Sequence, residues 1–295
     1  MKIFDCTTYF DEEMLMDVRF NILDEFVHKF IVVESIYSHS GIKKKLNFDI
    51  NSYPKFKDKI EYLVIEKEPE NLADENEIKL NPYLKRLNSI KRIEQSYNYM
   101  EKGITEADSE DLILISDNDE IPNLNSKDFK NNKSNFIIFK QAFFYYKFNY
   151  FYDRVPWFGT KGCKKKKLIK FSNLRNLKNK KYPFWRIDTF FSNIRQIDLK
   201  IIKDGGWHFT NLKNPEELYA KLKNFGHHDE FELSGIGVKD LEEKINKGIV
   251  FYNHLADKNS KNKWNYNYKL KLIDDLLLPK YLVENKKKYN EWFAK

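Results

Sequence analysis

The pattern of hydrophobic and polar positions at the start of the chain predicts a β-α-β unit followed by a third strand. Short apolar runs predict strands at residues 3–10, 30–35 and 60–65. Between the first two runs, apolar residues recur every four positions and predict an amphipathic helix of about five turns, with Asp11 as its N-cap. The recurring positions are Met14, Val18, Ile22, Phe26 and Phe30. Strands joined through a helix lie parallel, so this region predicts a parallel sheet.

The remaining pattern extends this sheet and ends in helices. A second amphipathic helix is predicted at residues 83–101, and strands are predicted at 111–116 and 135–146. Residues 150–200 mix lysine runs with aromatic residues and predict strands and loops. Helices are predicted at 215–225, 238–247 and 263–278, with a short one after Pro279. The predicted fold class is α/β, with a mixed, mostly parallel sheet flanked by helices and a helical C-terminal part.

The strand at 111–116 runs into the most informative feature of the sequence, the carboxylates of Asp117, Asp119 and Glu120. Open α/β sheets bind ligands just beyond the carboxyl ends of their strands. Asp117 and Asp119 can converge on one Mg²⁺ or Mn²⁺ ion, because these cations prefer oxygen ligands and keep waters or phosphates in their other positions. An acidic turn exposed to solvent, without a metal, is the alternative interpretation.

A second motif combines two glycines with Trp207 and His208. The glycines let the backbone turn closely before the aromatic ring and the imidazole. His208 is a candidate to complete the coordination of a cation held by the two aspartates, or to contact a diphosphate. Trp207 is a candidate for stacking on a sugar ring. A structural histidine and a core anchor are the respective alternatives.

Further polar residues are candidates at other positions. Glu34 ends the second strand, where it could bind a nucleoside base or ribose, or cap the next turn. Arg92 lies on the helix at 83–101 and could bind a phosphate bidentately, although solvated helix arginines are common. Asp229 and Glu230 lie between two aromatic residues and, with Glu120, are candidates for a general base that takes a proton from an attacking hydroxyl. Exposed polar residues without a function are the alternative.

Composition limits the class of protein. Hydrophobic residues make up 41% of the chain and aromatic residues 16%, which indicates a globular protein. The chain has neither a Gly-x-Gly-x-x-Gly turn nor a Gly-Lys-Ser/Thr loop, which disfavours Rossmann dehydrogenases and P-loop enzymes. Cys6 and Cys163 are far apart and suggest neither a disulfide framework nor a zinc site. No apolar window is long enough for a membrane span, so we expect a reduced, soluble, cytoplasmic protein without a transmembrane segment.

The charge leaves several partners open. The formal net charge is +8, from 52 basic and 44 acidic residues, and the lysines cluster in runs such as Lys164–Lys167 and Lys286–Lys288. A basic surface attracts the phosphates of a nucleotide, a nucleic acid or an anionic membrane. A solvated face is the simpler explanation for any single run. A peripheral contact with the inner face of the membrane stays open.

The motifs together resemble glycosyltransferase family 17, which is typified by the enzyme that adds the bisecting N-acetylglucosamine to N-glycans. The two most specific segments are Ile115 to Pro122, similar to the family's Ile-Ser-Asp-x-Asp-Glu-Ile-Pro, and Gly206 to Phe209, similar to its Gly-Trp-His-Phe. Supporting segments occur in the same order: Tyr37 to Phe48, Phe143 to Tyr146 with Asn149, Pro156-Trp157 with Gly159-Thr160, Phe225 to Phe231, and Leu278 to Leu282 with Asn285.

The resemblance implies a GT-A type fold, a nucleotide-sugar donor such as a UDP-sugar, Mn²⁺ or Mg²⁺, and inversion at the anomeric carbon. It favours His208 as a metal ligand or diphosphate contact. The length of 295 residues suggests one large domain or one domain with an appended lobe, and we expect the former. Residues 1–122 would then form the nucleotide-sugar-binding half, and 123–295 the acceptor-side half with the C-terminal helices. The sugar would be N-acetylglucosamine or a related hexose, and the acceptor a glycan or lipid-linked glycan rather than nucleic acid.

Two departures limit what the resemblance carries over. We expect no equivalent of the membrane anchor that the eukaryotic relatives carry, and the basic segment Lys161 to Lys181 has no recognisable counterpart. The N-glycan acceptor is therefore not inherited. Two other functions stay open: a non-catalytic module that binds nucleic acid or polysaccharide, and a metal-dependent phosphoryl transferase, which usually needs more clustered acids.

Overall fold

The structure is a computed structural model that describes residues 1–225, 228–256 and 263–295. Its strands are β1 (Ile3–Tyr9), β2 (Lys29–Ser35), β3 (Ile60–Ile65), β4 (Leu112–Ser116), β5 (Glu120–Pro122), β6 (Phe136–Tyr145), β7 (Tyr150–Phe151), β8 (Trp157–Lys164), β9 (Leu199–Ile202), β10 (Gly206–Thr210), β11 (Ile249–Val250), β12 (Tyr268–Lys269) and β13 (Lys271–Leu272). Its α-helices are α1 (Glu13–Leu23), α2 (Glu75–Leu80), α3 (Tyr83–Tyr99), α4 (Lys127–Lys130), α5 (Phe171–Arg175), α6 (Pro215–Asn224), α7 (His228–Ser234), α8 (Val238–Lys247) and α9 (Lys280–Glu284). Within the described ranges, no helix is both long and apolar enough to cross a membrane.

The large sheet is mixed, and its N-terminal part is parallel. Neighbouring strands in the order β3-β2-β1-β4 run parallel, and β8 and β6 continue the sheet in antiparallel pairs. β4 is buried on both faces, as its continuous apolar run predicts. The register pairs Thr7 with Ser116 and Tyr9 with Glu34. The carboxyl ends of β1, β2 and β4 therefore meet at one edge.

Apolar side chains cover both faces of this sheet. Leu114 of β4 belongs to a core with α1 and α9, whereas Ile113 and Ile115 belong to a second core with the end of α3 and with α5. A third core joins β6 to α6 and α8. The predicted α/β fold, with a sheet between helices and a helical C-terminal part, is confirmed.

Several predicted elements differ from the structure. The first helix has three turns instead of five, because Val27 lies in the following turn and Phe30 belongs to β2, although both are buried. Its N-cap is Glu12 instead of Asp11, whose carboxylate binds Lys213 at 2.6 Å. No α-helix forms at 263–278, where β12 pairs with β11, β13 pairs with β7, and a short 3₁₀ helix spans Asp275–Leu277. Helix α2 was not predicted, although Asp74 begins it with a capping box.

Candidate active site

A cleft with a volume of about 290 Å³ opens at the edge where β1, β2 and β4 end. The residues that follow these strands line it, together with side chains from α3 and α6. Both Asp117 and Asp119 line this cleft, with Tyr97 from α3 and Lys221 from α6. An α/β sheet is expected to bind a ligand at this edge, and here the edge forms a concave site with two carboxylates.

The turn between β4 and β5 is fixed by hydrogen bonds in both directions. The Glu120 N–H donates to the Asp117 carbonyl at 3.1 Å, and the Asp117 N–H donates to Oε2 of Glu120 at 3.0 Å. Strand β10 lies antiparallel to β5 and pairs His208 with Glu120. The Phe209 N–H donates to the Asp119 carbonyl at 2.8 Å. The two motifs that stand out in the sequence are therefore neighbours in space.

Close pairing of these two strands depends on Gly206. Its φ is +105°, in the region that favours glycine. A Cβ atom at this position would lie 2.2 Å from the carbonyl oxygen of Ile121 and 2.6 Å from the nitrogen of Asn123, and both are backbone atoms that cannot yield easily. Gly206 thus lets β10 approach β5 and places His208 beside the acidic turn.

Glu120 is completely buried, and its carboxylate accepts four hydrogen bonds from described residues. Arg175 donates from Nη1 to Oε2 and from Nη2 to Oε1, both at 2.7 Å, and the Trp157 indole donates to Oε1 at 2.7 Å. The Asp117 N–H is the fourth donor. Burial raises the pKa of Glu120, but the Arg175 guanidinium outweighs it and holds the pKa below its usual value. The carboxylate is ionised, its lone pairs are filled, and it is not part of the cleft lining.

Asp117 shares the same arginine and also faces the cleft. Arg175 Nη2 donates to Oδ2 of Asp117 at 2.6 Å, and the Tyr97 hydroxyl donates to Oδ1 at 2.9 Å. Burial, with a contribution from Asp117, raises the pKa of the Tyr97 hydroxyl, which therefore stays a donor. The Asp117 side chain is nevertheless 36% exposed. It is oriented by two protein groups and accessible to a ligand.

Asp119 lies between an imidazole and an ammonium group. His208 Nε2 is 3.4 Å from Oδ1 of Asp119, and Lys221 Nζ is 3.9 Å from Oδ2. Burial raises the pKa of Asp119, but His208 and Lys221 outweigh this effect and hold the pKa well below its usual range. The His208 ring stacks on Trp157, with centroids 4.2 Å apart, and its Nδ1 has no hydrogen-bond partner among the described residues. Asp119 is therefore an ionised carboxylate at neutral pH.

Glu12 is a fourth carboxylate at this edge of the sheet, and it lines the cleft. Its Oε2 accepts the N–H groups of Phe10 at 3.3 Å and Asp11 at 3.0 Å, and also the side-chain amide of Asn118. In the part of the chain that the structure describes, Oε1 has no hydrogen bond, and its nearest cation is Lys221 Nζ at 3.7 Å. Burial raises the pKa of Glu12.

A comparison with models of known protein families identifies the family of this chain. Residues 1–293 match the family model described as Glycosyltransferase family 17. The chain belongs to glycosyltransferase family 17. The match covers the acidic turn, the Gly-Trp-His-Phe strand and the C-terminal helices, and it confirms the resemblance seen in the sequence. No curated protein is significantly similar to the chain.

Glu34 and Arg92 were predicted to bind a ligand, but in this glycosyltransferase both side chains bind other residues of the same chain. Glu34 is fully buried and accepts hydrogen bonds from Lys44, from Tyr62 at 2.7 Å and from two N–H groups of the following loop, so it caps that loop. Arg92 lines the cleft, but its guanidinium binds both carboxylate oxygens of Glu68, at 2.7 and 3.0 Å. Of these two residues, Arg92 alone lines the cleft.

The structure does not bring Trp207 or Glu230 into the cleft of the family 17 enzyme. Trp207 precedes His208 on β10, so its side chain points to the opposite face, and its indole donates to the Leu277 carbonyl at 2.6 Å. This placement matches the interpretation as a core anchor. Glu230 pairs with Lys263 at 2.6 Å. The side chain of Asp229, the other candidate, lies outside the described residues.

Sequence reasoning missed Glu12, Lys221 and Arg175 as parts of this site. Arg175 lies at the end of α5, inside the basic segment Lys161 to Lys181. Lys161 holds this helix end by donating to the carbonyls of Arg175 and Leu177, at 2.8 and 2.7 Å, and burial lowers its pKa to about 7. Arg175 is the single arginine among the lysines of this segment. This difference was the feature of the sequence that could have indicated a carboxylate-binding role.

Proposed function

We propose that this glycosyltransferase binds a UDP-sugar in the cleft and transfers N-acetylglucosamine or a related hexose, with inversion, to a hydroxyl of a glycan or lipid-linked glycan. The family assignment carries the reaction class and replaces the binding-module and phosphoryl-transferase alternatives. The observation that favours this cleft is the convergence of Asp117 and Asp119 at the shared edge of β1, β2 and β4.

The charges of the site fit a divalent cation. Within the described residues, no three His, Cys, Asp or Glu side chains are arranged to hold a metal ion. Asp117 and Asp119 nevertheless present carboxylates to one cleft, and such cations keep waters and substrate phosphates as further ligands. Glu12 is a third carboxylate in the lining, so a cation would offset the negative charge there. The basic side chains that line the same cleft would meet the diphosphate: Lys44, Arg86, Arg92 and Lys221. We propose Asp117 and Asp119 as ligands of Mn²⁺ or Mg²⁺, with His208 beside Asp119.

The bound cation would offset the charge that develops on the departing nucleoside diphosphate. Lys221 lines the cleft on α6 and provides a second positive charge near Asp119. Arg175 orients Asp117 from behind, and Glu120 holds Arg175 in place. With its lone pairs filled, Glu120 suits this positioning role better than that of the general base.

For the general base we propose Glu12. It is a cleft carboxylate with one oxygen that no described residue hydrogen-bonds, and burial raises its pKa above the usual value for glutamate, which makes it a stronger base. Its Oε1 would take the proton from the acceptor hydroxyl as that hydroxyl attacks the sugar. The N–H groups of Phe10 and Asp11 hold Oε2 and fix the direction of the free oxygen.

The test of the site compares Asp119→Ala with Asp58→Ala, a control that removes an exposed carboxylate outside the cleft. A panel of nucleotide-sugars is first screened by thermal shift with and without Mn²⁺, because a ligand of the folded state raises the melting temperature. We expect one UDP-sugar to stabilise the wild type and Asp58→Ala only when Mn²⁺ is present. Asp119→Ala should lose this shift and most of the sugar transfer.

Two outcomes would count against the proposal. If Asp119→Ala transfers sugar and binds the nucleotide with Mn²⁺ as the wild type does, Asp119 is not part of a metal site. If the wild type binds UDP-sugars equally well without a divalent cation, the cleft works without a metal. Release of free sugar and UDP in the absence of acceptor would independently identify the donor.

A further inference from the structure

A surface distinct from the cleft exposes large apolar side chains that lie close together in sequence. We call it the aromatic surface and define it as Phe184, Trp185, Ile187, Phe190 and Phe191. Each of these side chains is at least 68% exposed, and Phe191 reaches 88%. Single exposed apolar residues are common on soluble proteins, but five within eight residues mark a site of interaction.

The segment that carries the aromatic surface is folded. Its ends are joined where the Lys178 N–H donates to the Ile194 carbonyl at 2.8 Å. At its centre lies a 3₁₀ turn over Ile187–Thr189, in which the buried Thr189 hydroxyl donates to the Arg186 carbonyl at 2.6 Å. Asp188 pairs with Arg186 at 2.6 Å and with Arg195 at 2.7 Å. The apolar side chains are thus held outward by an ordered turn.

Positive charge is concentrated in the part of the chain that carries this surface. Residues 164–203 contain thirteen basic and two acidic side chains, a formal charge of +11, so the rest of the chain is slightly negative although the whole carries +8. The exposed lysines of this region are Lys166, Lys167, Lys170, Lys178, Lys180, Lys181 and Lys203. The central arginines share Asp188, whereas all of these lysines except Lys203 lie before the apolar tip in sequence. Lys178 lies at the base of the loop that carries the apolar tip, and Lys180 and Lys181 follow it in sequence. An apolar tip with neighbouring basic residues is typical of proteins that bind anionic membranes.

We propose that the aromatic surface docks on an anionic phospholipid bilayer, with the aromatic rings in the interface between headgroups and acyl chains and the lysines against the headgroups. Trp and Phe favour this interface, and basic residues next to it are attracted by anionic lipids. Single-stranded nucleic acid also combines stacking with phosphate contacts, but Ile187 and the pairing of both central arginines with Asp188 fit a lipid surface better.

The first experiment measures co-flotation of the full chain with vesicles of phosphatidylcholine alone or with added phosphatidylglycerol. We expect binding to the anionic vesicles, weaker at high salt. The double variant Trp185→Ser/Phe191→Ser should lower the partition coefficient by about tenfold or more, because both rings leave the interface. The matched control Leu233→Ser/Leu276→Ser removes two side chains that are 90% and 94% exposed elsewhere and should bind as the wild type does.

The second experiment separates charge from apolar insertion. Lys180→Glu/Lys181→Glu should abolish the preference for anionic vesicles, whereas Lys239→Glu/Lys280→Glu, with the same change in net charge, should keep it. Vesicles with brominated acyl chains should quench the fluorescence of the wild type more strongly than that of Trp185→Phe. All these side chains are exposed, so the variants should keep the wild-type melting temperature.

Three results would overturn the proposal. The first is equal binding of the wild type and Trp185→Ser/Phe191→Ser to anionic vesicles. The second is a dimer that this variant loses while vesicles bind neither protein, since a second copy would then cover the surface. The third is binding to single-stranded RNA without binding to vesicles. The stabilisation by nucleotide-sugars does not depend on any of these residues, so the proposed function stands or fails separately.

Discussion

Replacement of Arg175 by methionine tests whether the acidic turn depends on one guanidinium. Arg175 donates twice to Glu120, once to Asp117 and once to the Gly159 carbonyl, at 2.6 to 3.0 Å. Its own side chain is 14% exposed, and that of Glu120 is not exposed at all. Methionine has a similar length but no charge and no donor, so the variant leaves the Glu120 carboxylate buried without its cation.

The expected loss of stability follows from the burial of Glu120. Removal of one partner of a buried ion pair costs about 3–5 kcal/mol, because the other charge stays in a poorly solvated place. The bond to Asp117 adds little, since that carboxylate is 36% exposed and water can replace the arginine. In Arg175→Met/Glu120→Gln both charges are absent. The double variant should be more stable than Arg175→Met, and the coupling energy of the pair should be about 2 kcal/mol or more.

The folding stability of the wild type and that of Arg175→Met should change with pH in opposite directions. In the wild type, Arg175 holds the pKa of Glu120 below the usual value of 4.5, so the ion pair stabilises the fold at neutral pH and this contribution fades as the pH falls through the lowered pKa. In Arg175→Met, burial and the charge of Asp119 still raise the pKa of Glu120, whereas the two contributions of Arg175 that lower it are lost and that of His208 remains, so we expect the pKa to rise above 4.5. The variant then loses stability as the pH rises above 4.5. The difference between the two proteins should therefore grow from pH 4 towards pH 7.

The measurement is urea denaturation followed by circular dichroism at several pH values, with the linear extrapolation to water. Arg186→Met is the matched control, because that arginine also binds a carboxylate but is exposed, so little change is expected. The reasoning is wrong if Arg175→Met is as stable as Arg186→Met at pH 7. It is also wrong if the loss caused by Arg175→Met is the same at pH 4 and pH 7.

Three further predictions concern single residues. Gly206→Ala should lower the free energy of unfolding by more than Gly235→Ala, because both positions have positive φ but only the Cβ at Gly206 would meet backbone within 4 Å; equal losses in urea would contradict this. Glu12→Gln should keep the thermal shift with the nucleotide-sugar donor but lose most of kcat. Because burial raises the pKa of Glu12, the activity of the wild type should fall on acidification from above pH 4.5. If a residually active variant shows the same dependence of activity on pH, Glu12 is not the base. Trp207→Phe should cost about 1 kcal/mol of stability through the lost bond to the Leu277 carbonyl and leave the KM for the donor unchanged; a raised KM would restore Trp207 as a sugar-binding residue.

The parts of the fold that sequence predicted correctly are those determined by neighbouring residues. Strand β3 and helix α8 have the bounds that their apolar periodicity predicts, because each element buries its own pattern. The helix predicted at 263–278 was wrong because apolar spacing alone indicated it: Leu276 and Leu277 are exposed, and Tyr268 pairs with Val250 in a strand. Pairing with a distant segment is not visible in a local window.

The acidic turn also combines features set by neighbouring residues with features set by distant ones. Its three carboxylates lie within four residues but have different surroundings. The sequence locates all three at the end of β4, but their directions depend on residues far away in the chain. Asp119 faces the cleft beside His208, which Gly206 brings within reach, whereas Glu120 points inward to Arg175, more than fifty residues later in a segment that resembled a solvated insertion. Glu34 shows the same principle, since donors from the next loop and from β3 fill its lone pairs at the edge where a ligand was expected. A carboxylate at the end of a strand is therefore a ligand candidate only when the rest of the fold leaves it in the lining of a cleft, and in this glycosyltransferase Asp117, Asp119 and Glu12 meet that condition.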